Sequence, residues 1–391
     1  MDTNTTCDRI AILERTCDLA LLPPAMYTAP VPDRYQLANE RWMMNDGAAV
    51  TRGGRVWINW IGGGDSPAAY SVLAYSDDGG RTFLPPALVV DGHSPDLPVP
   101  RANIIGNVWT DPSGRLHHFV SQSLWHNDGR MGVWETVCDN PDAASPTWSP
   151  IRRLCDGAAL NKPVVLSDGT WLLPVERART WGPWVGLFGS RADNARAFLL
   201  ASVDNGVTWS PRGVLDVPDS DWPENNVLEL PGGRLRMYMR SKRGLLAAES
   251  QDGGRTWGPV AKPAGMDNPC ARCQVRRLAG GRWIFVKHLA PPYSFNDDLR
   301  TGIVAYLSDD FGATWRGGLV LDDRPQTTYP DVEQDAAGLI YVTHDFERGR
   351  AGELILHKFT EDDVLAGRFA SPASSRGIIA AKALATRLGA R

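Results

Sequence analysis

The chain has 391 residues, a formal net charge of −4, 43% hydrophobic residues and 22% charged residues. That balance leaves no basic footprint, which speaks against nucleic acid as a partner, and no stretch reaches transmembrane length, so no membrane contact is expected. The high counts are glycine (39), proline (29) and tryptophan (15), a mix of turn and strand residues that favours many short strands over helices.

Taken in chain order, the first 22 residues, MDTNTTCDRIAILERTCDLALL, carry no basic stretch followed by a clean apolar run. The expectation is a soluble, cytoplasmic protein. Residues 1–43 are expected to pack on the main domain or to complete its last blade. From residue 44 a unit recurs: a glycine turn followed by an apolar strand. The glycines are Gly54, Gly114, Gly169, Gly233, Gly281 and Gly338, spaced 60, 55, 64, 48 and 57 residues apart. Each unit is long enough for a four-stranded antiparallel blade, and six such blades close on themselves. The predicted fold is therefore all-β, a six-bladed β-propeller of four-stranded antiparallel blades spanning 44–369. Its blades are expected at 44–90, 100–150, 160–212, 222–262, 268–320 and 326–360. Residues 370–391 form a C-terminal tail that reads as a short helix or a frayed end.

A second pattern, S-x-D-x-G-x-T-W, appears four times. Its copies start at Ser76, Ser202, Ser250 and Ser308, the first ending in Phe83 instead of tryptophan. The pattern closes a hairpin: the aspartate accepts backbone N–H groups, the glycine takes a positive φ, and the aromatic residue buries between sheets. These aspartates are a folding device and are not counted as catalytic. Blades two and six lack a clear copy, although Pro146-Thr147-Trp148 reads as a decayed one.

Six cysteines are scattered along the chain: Cys7, Cys17, Cys138, Cys155, Cys270 and Cys273. Cys270 and Cys273 form one CxxC. A zinc site needs a second pair or nearby histidines at ligand spacing, so the pair reads as structural or incidental. No metal and no cofactor are expected.

In a propeller the ends of the inner strands surround a central funnel, which is expected to be wet. Here the stretch ahead of each glycine turn is polar: Asn45-Asp46, Arg101-Ala102-Asn103, Asn161-Lys162, Glu224-Asn225-Asn226, Asn268 with Arg272, and Tyr329-Pro330-Asp331. Water in the funnel accounts for such residues one at a time; a substrate site built from several blades accounts for them together.

The four S-x-D-x-G-x-T-W copies resemble the Asp boxes, or BNR repeats, of the sialidase (neuraminidase) superfamily, and the resemblance covers nearly the whole chain. Glu224-Asn225-Asn226-Val227-Leu228-Glu229-Leu230 with Tyr238-Met239-Arg240-Ser241 is similar to the family's ExxxxEL…NxRS segment. That match implies that Glu224 activates the nucleophile and that Arg240 belongs to the arginine triad that binds a substrate carboxylate. Tyr329-Pro330-Asp331-Val332 is similar to the family's YSDL, which implies Tyr329 as nucleophile, with Pro330 in place of the usual serine. Arg300, ahead of the fourth Asp box, stands where another triad arginine belongs. Asp65, in the loop between the first strands of blade one, stands for the acid/base aspartate. The family's R-I-P triplet has no counterpart, since Met44-Asn45-Asp46-Gly47 carries no arginine in register. Asp46 there would repel an anionic sugar, and Arg101 or Arg272 is expected to compensate.

The resemblance implies an exo-glycosidase that removes a terminal acidic sugar, sialic acid or a related one, from a glycan or glycoconjugate. The chemistry agrees. Arginine grips carboxylate bidentately, and a neutral tyrosine nucleophile avoids the repulsion a carboxylate would meet. Its phenol needs an adjacent base. Two alternatives stay open. One is a propeller glycosidase or lyase for a uronate or rhamnose-type sugar, with a histidine base among His117, His126, His288 and His344. The other is a non-catalytic glycan-binding propeller. Each site residue also has a plain structural reading: Tyr329 as a packed aromatic, the arginines as surface charges, Glu224 as a loop cap.

Overall fold

The structure is a computed structural model that describes residues 16, 19–125, 127–179, 195–289 and 300–384. Six antiparallel sheets follow one another along the chain, and one edge strand of each surrounds the axis of a six-bladed propeller. The inner strands are Met44–Val50, Arg101–Thr110, Val164–Val165, Asn226–Leu230, Gln274–Arg277 and Thr327–Gln334. Four blades have four strands, the first has five and the fourth has three. The expected boundaries give way at both ends. Ala25–Thr28 pairs with Leu88–Asp91 and is the outer strand of the first blade. Ser375–Lys382, expected as a helix or frayed tail, pairs with Glu353–Phe359 and is the outer strand of the sixth. In the fourth blade the proline-rich segment after Ser250 cannot continue a ladder. It is held along Gly244–Ser250 by an isolated bridge between Ala247 and Ala261. No described helix is long and apolar enough to cross a membrane.

The Asp boxes do what their residue types dictate. In the second copy, Asp204 Oδ1 accepts the Thr208 N–H at 2.9 Å, Asp204 Oδ2 accepts the Thr208 hydroxyl at 2.6 Å, and Ser202 Oγ accepts the Gly206 N–H at 2.8 Å. These bonds favour the ionised carboxylate, and the hydroxyl and backbone bonds of Thr208 lower the pKa of Asp204 to about 2. The decayed copy in blade two keeps the device with Asn140, whose Oδ1 accepts the Thr147 N–H at 2.8 Å and the Thr147 hydroxyl at 3.0 Å. The box tryptophans are half-buried rather than enclosed. Trp209 lies 6.4 Å from Phe119 in blade two and 6.3 Å from Trp171 in its own blade.

Inner strands of neighbouring blades belong to different sheets, so other groups must join them. Asparagine side chains do much of this. The Asn45 amide donates to Tyr329 O at 2.7 Å, joining blades one and six. Asn107 donates to Asn161 O at 2.9 Å, and Asn161 donates to Glu224 O and Asn225 O at 3.0 Å each. Asn226 donates to Cys273 O at 3.2 Å. The funnel, expected to be wet, is packed at this level: Asn45, Asp46, Asn103, Asn161, Lys162 and Arg272 are all buried. Asp331 is the hub of the packing. It accepts from Lys162 Nζ at 2.6 Å, Arg272 Nη2 at 3.3 Å and the Ala48 N–H at 3.0 Å, so that blades three, five and one meet on one carboxylate of blade six. Gly47 leaves room for it, since a Cβ there would lie 2.7 Å from Asp331 Oδ2. The outer seam between blades one and six is an apolar cluster that includes Met43, Ala48, Ile58, Tyr341, Leu354 and Leu356. Two main-chain bonds cross it, Met43 N–H to Arg348 O at 3.1 Å and Leu384 N–H to Glu40 O at 2.8 Å.

His117, a candidate base by sequence, lies between blades two and three instead. Its Nδ1 is 2.8 Å from Glu135 Oε1 and its Nε2 is 3.2 Å from Asp111 Oδ2. Trp109 and Trp171 cover it. Burial opposes the imidazolium, but the two carboxylates outweigh it and raise the pKa above the ordinary value. A raised folded-state pKa contributes stability that is complete below the unfolded value, about 6.5, and is lost as pH rises through the folded one. His117→Ala is therefore expected to lower the unfolding free energy by about 3 kcal/mol near pH 6. The gap between wild type and variant should narrow by about pH 9, as read from denaturant unfolding at the two pH values.

Candidate active site

A cavity of about 180 Å³ opens at the head of the inner strands. Its lining is Met44, Asp65, Ile104, Ile105, Trp222, Glu224, Arg240, Arg300, Tyr329 and Arg348. Four of the sequence-predicted residues meet there closely. The Tyr329 hydroxyl donates to Glu224 Oε1 at 2.6 Å, and Arg240 Nη1 donates to the same oxygen at 2.6 Å. Arg300, ahead of strand Thr301–Ser308, lines the cavity and donates to Cys270 O at 3.3 Å. Asp65 stands exposed at the rim, in the loop after strand Val56–Gly62.

Both members of the phenol–carboxylate pair have strained backbones. Tyr329 has φ 55° and Glu224 has φ 41°, in the left-handed region that non-glycine residues avoid. Such strain costs on the order of 1–3 kcal/mol per residue and persists where the surroundings over-determine it. At Tyr329 the surroundings are a bulge between Thr328 and Asp331, followed by the anchored Asp331 carboxylate. The strain turns the phenol across the axis toward blade four.

Burial, and then the Glu224 carboxylate, push the Tyr329 phenol well above the ordinary value for tyrosine, so it is neutral at rest. Burial works against charge on Arg240, but the Glu224 carboxylate and the phenol hold its pKa above the ordinary one.

The arginine missing from the first blade has a counterpart that the sequence did not point to. Arg348 follows strand Ile340–Phe346 of blade six and enters the cavity across the seam. Its Nε donates to Asp345 Oδ1 at 3.1 Å, its Nη2 to Thr328 Oγ1 at 2.5 Å, and its guanidinium lies 4.3 Å from the Tyr329 ring centroid. A search at the blade next to the defective motif, across the ring closure, is the signal that would have found it. Three guanidiniums thus face two carboxylates in one small cavity, an arrangement that attracts an anion. Met44, Ile104, Ile105 and Trp222 supply an apolar wall.

Three expected substrate-binding residues are placed elsewhere. Arg101 spends its guanidinium on backbone carbonyls, Gly92 O at 3.0 Å, Leu19 O at 3.1 Å and Leu22 O at 2.7 Å, and so ties down the N-terminal segment. Arg272 is fully buried, bonded to Asn161 Oδ1, Leu160 O and Asp331, with its guanidinium 5.7 Å from the Tyr329 ring centroid. It supports the site without lining it. Asp46 is also fully buried. Desolvation raises its pKa well above the ordinary value, and the residue does not line the cavity.

None of the described histidines lines the cavity. His288 is buried, and His126 lies outside the described residues, as do Cys7 and Cys17. His344 belongs to a buried trio with Asp322 and His357 whose ligand atoms lie close together. The Gly377 N–H donates to His357 Nδ1 at 3.2 Å, which puts that ring's proton on Nε2, 3.0 Å from His344 Nε2. The trio is therefore satisfied as a hydrogen-bonded pair, with Asp322 held by Arg324. Cys270 and Cys273 are not joined in a disulfide.

The model of the BNR repeat-like domain matches residues 54–342. The chain belongs to that family. With the relatives below, it falls in the sialidase superfamily. A sialidase of Clostridium perfringens is 23% identical over 215 residues, 53% of this chain and 53% of its own length. The match thus spans about half of that curated relative. Among solved structures, the Hadza microbial sialidase Hz136 has a TM-score of 0.61 at 16% identity, covering 78% of this chain and 63% of its own. The intramolecular trans-sialidase of Ruminococcus gnavus, in complex with oseltamivir carboxylate, has a TM-score of 0.60 at 12% identity, covering 89% and 99%. Identities this low carry the propeller fold of the BNR-repeat chain and nothing finer.

The buried phenol can be tested without a substrate. The absorbance difference between wild type and Tyr329→Phe should show no tyrosinate band up to about pH 11, because the ordinary phenol pKa of about 10 is raised here. A band appearing near pH 10 would mean an exposed, unpaired phenol.

Proposed function

We propose that this BNR-repeat propeller is a retaining exo-glycosidase that removes a terminal acidic sugar, sialic acid or a close relative, from glycans. The observation that carries the reading is one oxygen, Glu224 Oε1, which receives both the Tyr329 hydroxyl and Arg240 at 2.6 Å inside a cavity with two further arginines. A phenol at rest is a poor nucleophile, since its proton holds on at neutral pH. A carboxylate in hydrogen-bond contact takes that proton as the oxygen attacks, which is the arrangement covalent catalysis requires. The tyrosine nucleophile suits an anionic sugar, because a carboxylate in its place would repel the substrate.

Arg240, Arg300 and Arg348 then form the clamp for the substrate carboxylate. Arg348, held by Asp345 and Thr328, takes the part that the first blade does not supply. When the carboxylate binds, it draws Arg240 off Glu224 in part and leaves that oxygen freer to accept the phenol proton. Asp65 at the rim is the acid that protonates the leaving oxygen and later activates water. The apolar wall of Met44, Ile104, Ile105 and Trp222 receives the uncharged face of the sugar and excludes water during the glycosyl–tyrosine stage.

Turnover of a fluorogenic aryl sialoside tests the reading. Glu224→Gln is expected to lower kcat by about 10²- to 10⁴-fold. Arg348→Ala removes one charge-assisted contact, about 1.5–3 kcal/mol or roughly 10- to 150-fold, and the loss should fall mainly on KM. Full activity in Tyr329→Phe would sink the mechanism.

A further inference from the structure

Behind the candidate base lies a second carboxyl that none of these steps uses. Glu176 stands on the second strand of blade three, Trp171–Arg177, with 1% of its surface exposed. Its main chain is locked to Ala158 in both directions at 2.8 Å. Its Oε2 accepts the Glu224 N–H in a short contact across the blade boundary. Its other oxygen, Oε1, and Glu224 Oε2 are both buried without a hydrogen-bond partner among the described residues. The ionisable groups that face Glu176 are Glu224 and Arg240 of blade four and Arg272 of blade five.

A buried carboxyl whose one bonded oxygen holds a main-chain N–H is an unusual expense for a fold, and here the N–H belongs to a residue at φ 41°. We propose that Glu176 is a positioning residue: it clamps the left-handed main chain of Glu224 and so aims Glu224 Oε1 at the Tyr329 phenol. The inference rests on the reading of Glu224 as base and Tyr329 as nucleophile. Aligning the base this way matters because misplacement of about 1 Å at a reacting group costs about 10²-fold in rate.

The clamp has a pH consequence. Burial first, and then the neighbouring Glu224 carboxylate, raise the pKa of Glu176 to about 8. Below that value Glu176 is neutral. Above it a second negative charge appears next to the base. That charge opposes both formation of the tyrosinate and entry of an anionic sugar, so activity declines on the alkaline side.

Three variants of the full chain test this together. Glu176→Ala removes the clamp and is expected to lower kcat by about 10²-fold with KM little changed. Glu176→Gln keeps an acceptor oxygen and no charge. It should recover most of that kcat and move the alkaline limb of the pH profile upward. Glu176→Ala should also bring the Tyr329 titration, read by absorbance against Tyr329→Phe in each background, down toward the ordinary phenol value, while Glu176→Gln leaves it high. Infrared spectroscopy supplies a readout that needs no turnover: wild type should show a protonated-carboxyl band at neutral pH that fades through about pH 8 and is missing from Glu176→Gln. An unchanged kcat and phenol titration in Glu176→Ala, or no such band in wild type, would overturn the proposal. A wild-type chain inactive on acidic glycosides, with band and phenol titration as expected, would instead overturn the glycosidase reading and leave Glu176 as the clamp of the pair.

Discussion

Neighbouring blades of a propeller share no backbone ladder at the axis, and that absence is the constraint around which the chain is organised. Every inner strand ends its pairing at its own sheet edge, so the ring must be joined by side chains. Asn45, Asn107, Asn161 and Asn226 do this by donating their amides to main-chain carbonyls of a neighbouring blade. Asp331 completes the joint by gathering Lys162, Arg272 and the Ala48 N–H. A buried carboxylate is expensive unless it is paired and hydrogen-bonded, and this one is both. The polar residues that head the inner strands thus serve first as ring fasteners. The site is what remains where the fastening stops and the side chains face a cavity.

That division explains how the sequence could be read. The Asp boxes are local: each lies within about eight residues, and its aspartate, glycine and hydroxyl have fixed partners whatever the surroundings. Six glycine turns at near-even spacing then give the blade count. Glu224, Arg240 and Tyr329 were legible because each sits in a short motif, and Arg300 because it stands ahead of an Asp box. Arg348 was not. It carries no motif of its own, and its place in the cavity depends on blade six lying beside blade one. Arg101 and Arg272 show the converse: arginines at the right height whose guanidiniums the fold had already committed to carbonyls and to Asp331. Glu176 was also silent, since a lone glutamate between Val175 and Arg177 looks like any polar residue on a strand. At the C-terminus, Ser375–Lys382 carries good helix formers but pairs as a strand, because the open edge of Glu353–Phe359 outweighs local preference.

The strain in the site follows from the same fastening. Tyr329 and Glu224 both hold left-handed backbones, and both have main-chain carbonyls gripped by ring asparagines: Asn45 on Tyr329 O, Asn161 on Glu224 O. The bonds that close the ring therefore also hold the two paired residues in conformations that isolated chain segments would not keep. Stability and site geometry are supplied by one set of contacts, which is why the polar heads of the strands are so uniform while the cavity-facing residues differ from blade to blade.

The seam between the first and last blades gives this arrangement a further property. Among the described residues no strand is shared across it; apolar packing and a few bonds hold it, one of them to the carbonyl of Arg348 itself. An anion gripped at once by Arg348 of blade six and by Arg240 of blade four, across the axis, would tie the chain's last blade to its middle. Occupancy of the cavity and resistance of the ring to unzipping are then linked quantities, each reinforcing the other by mass action.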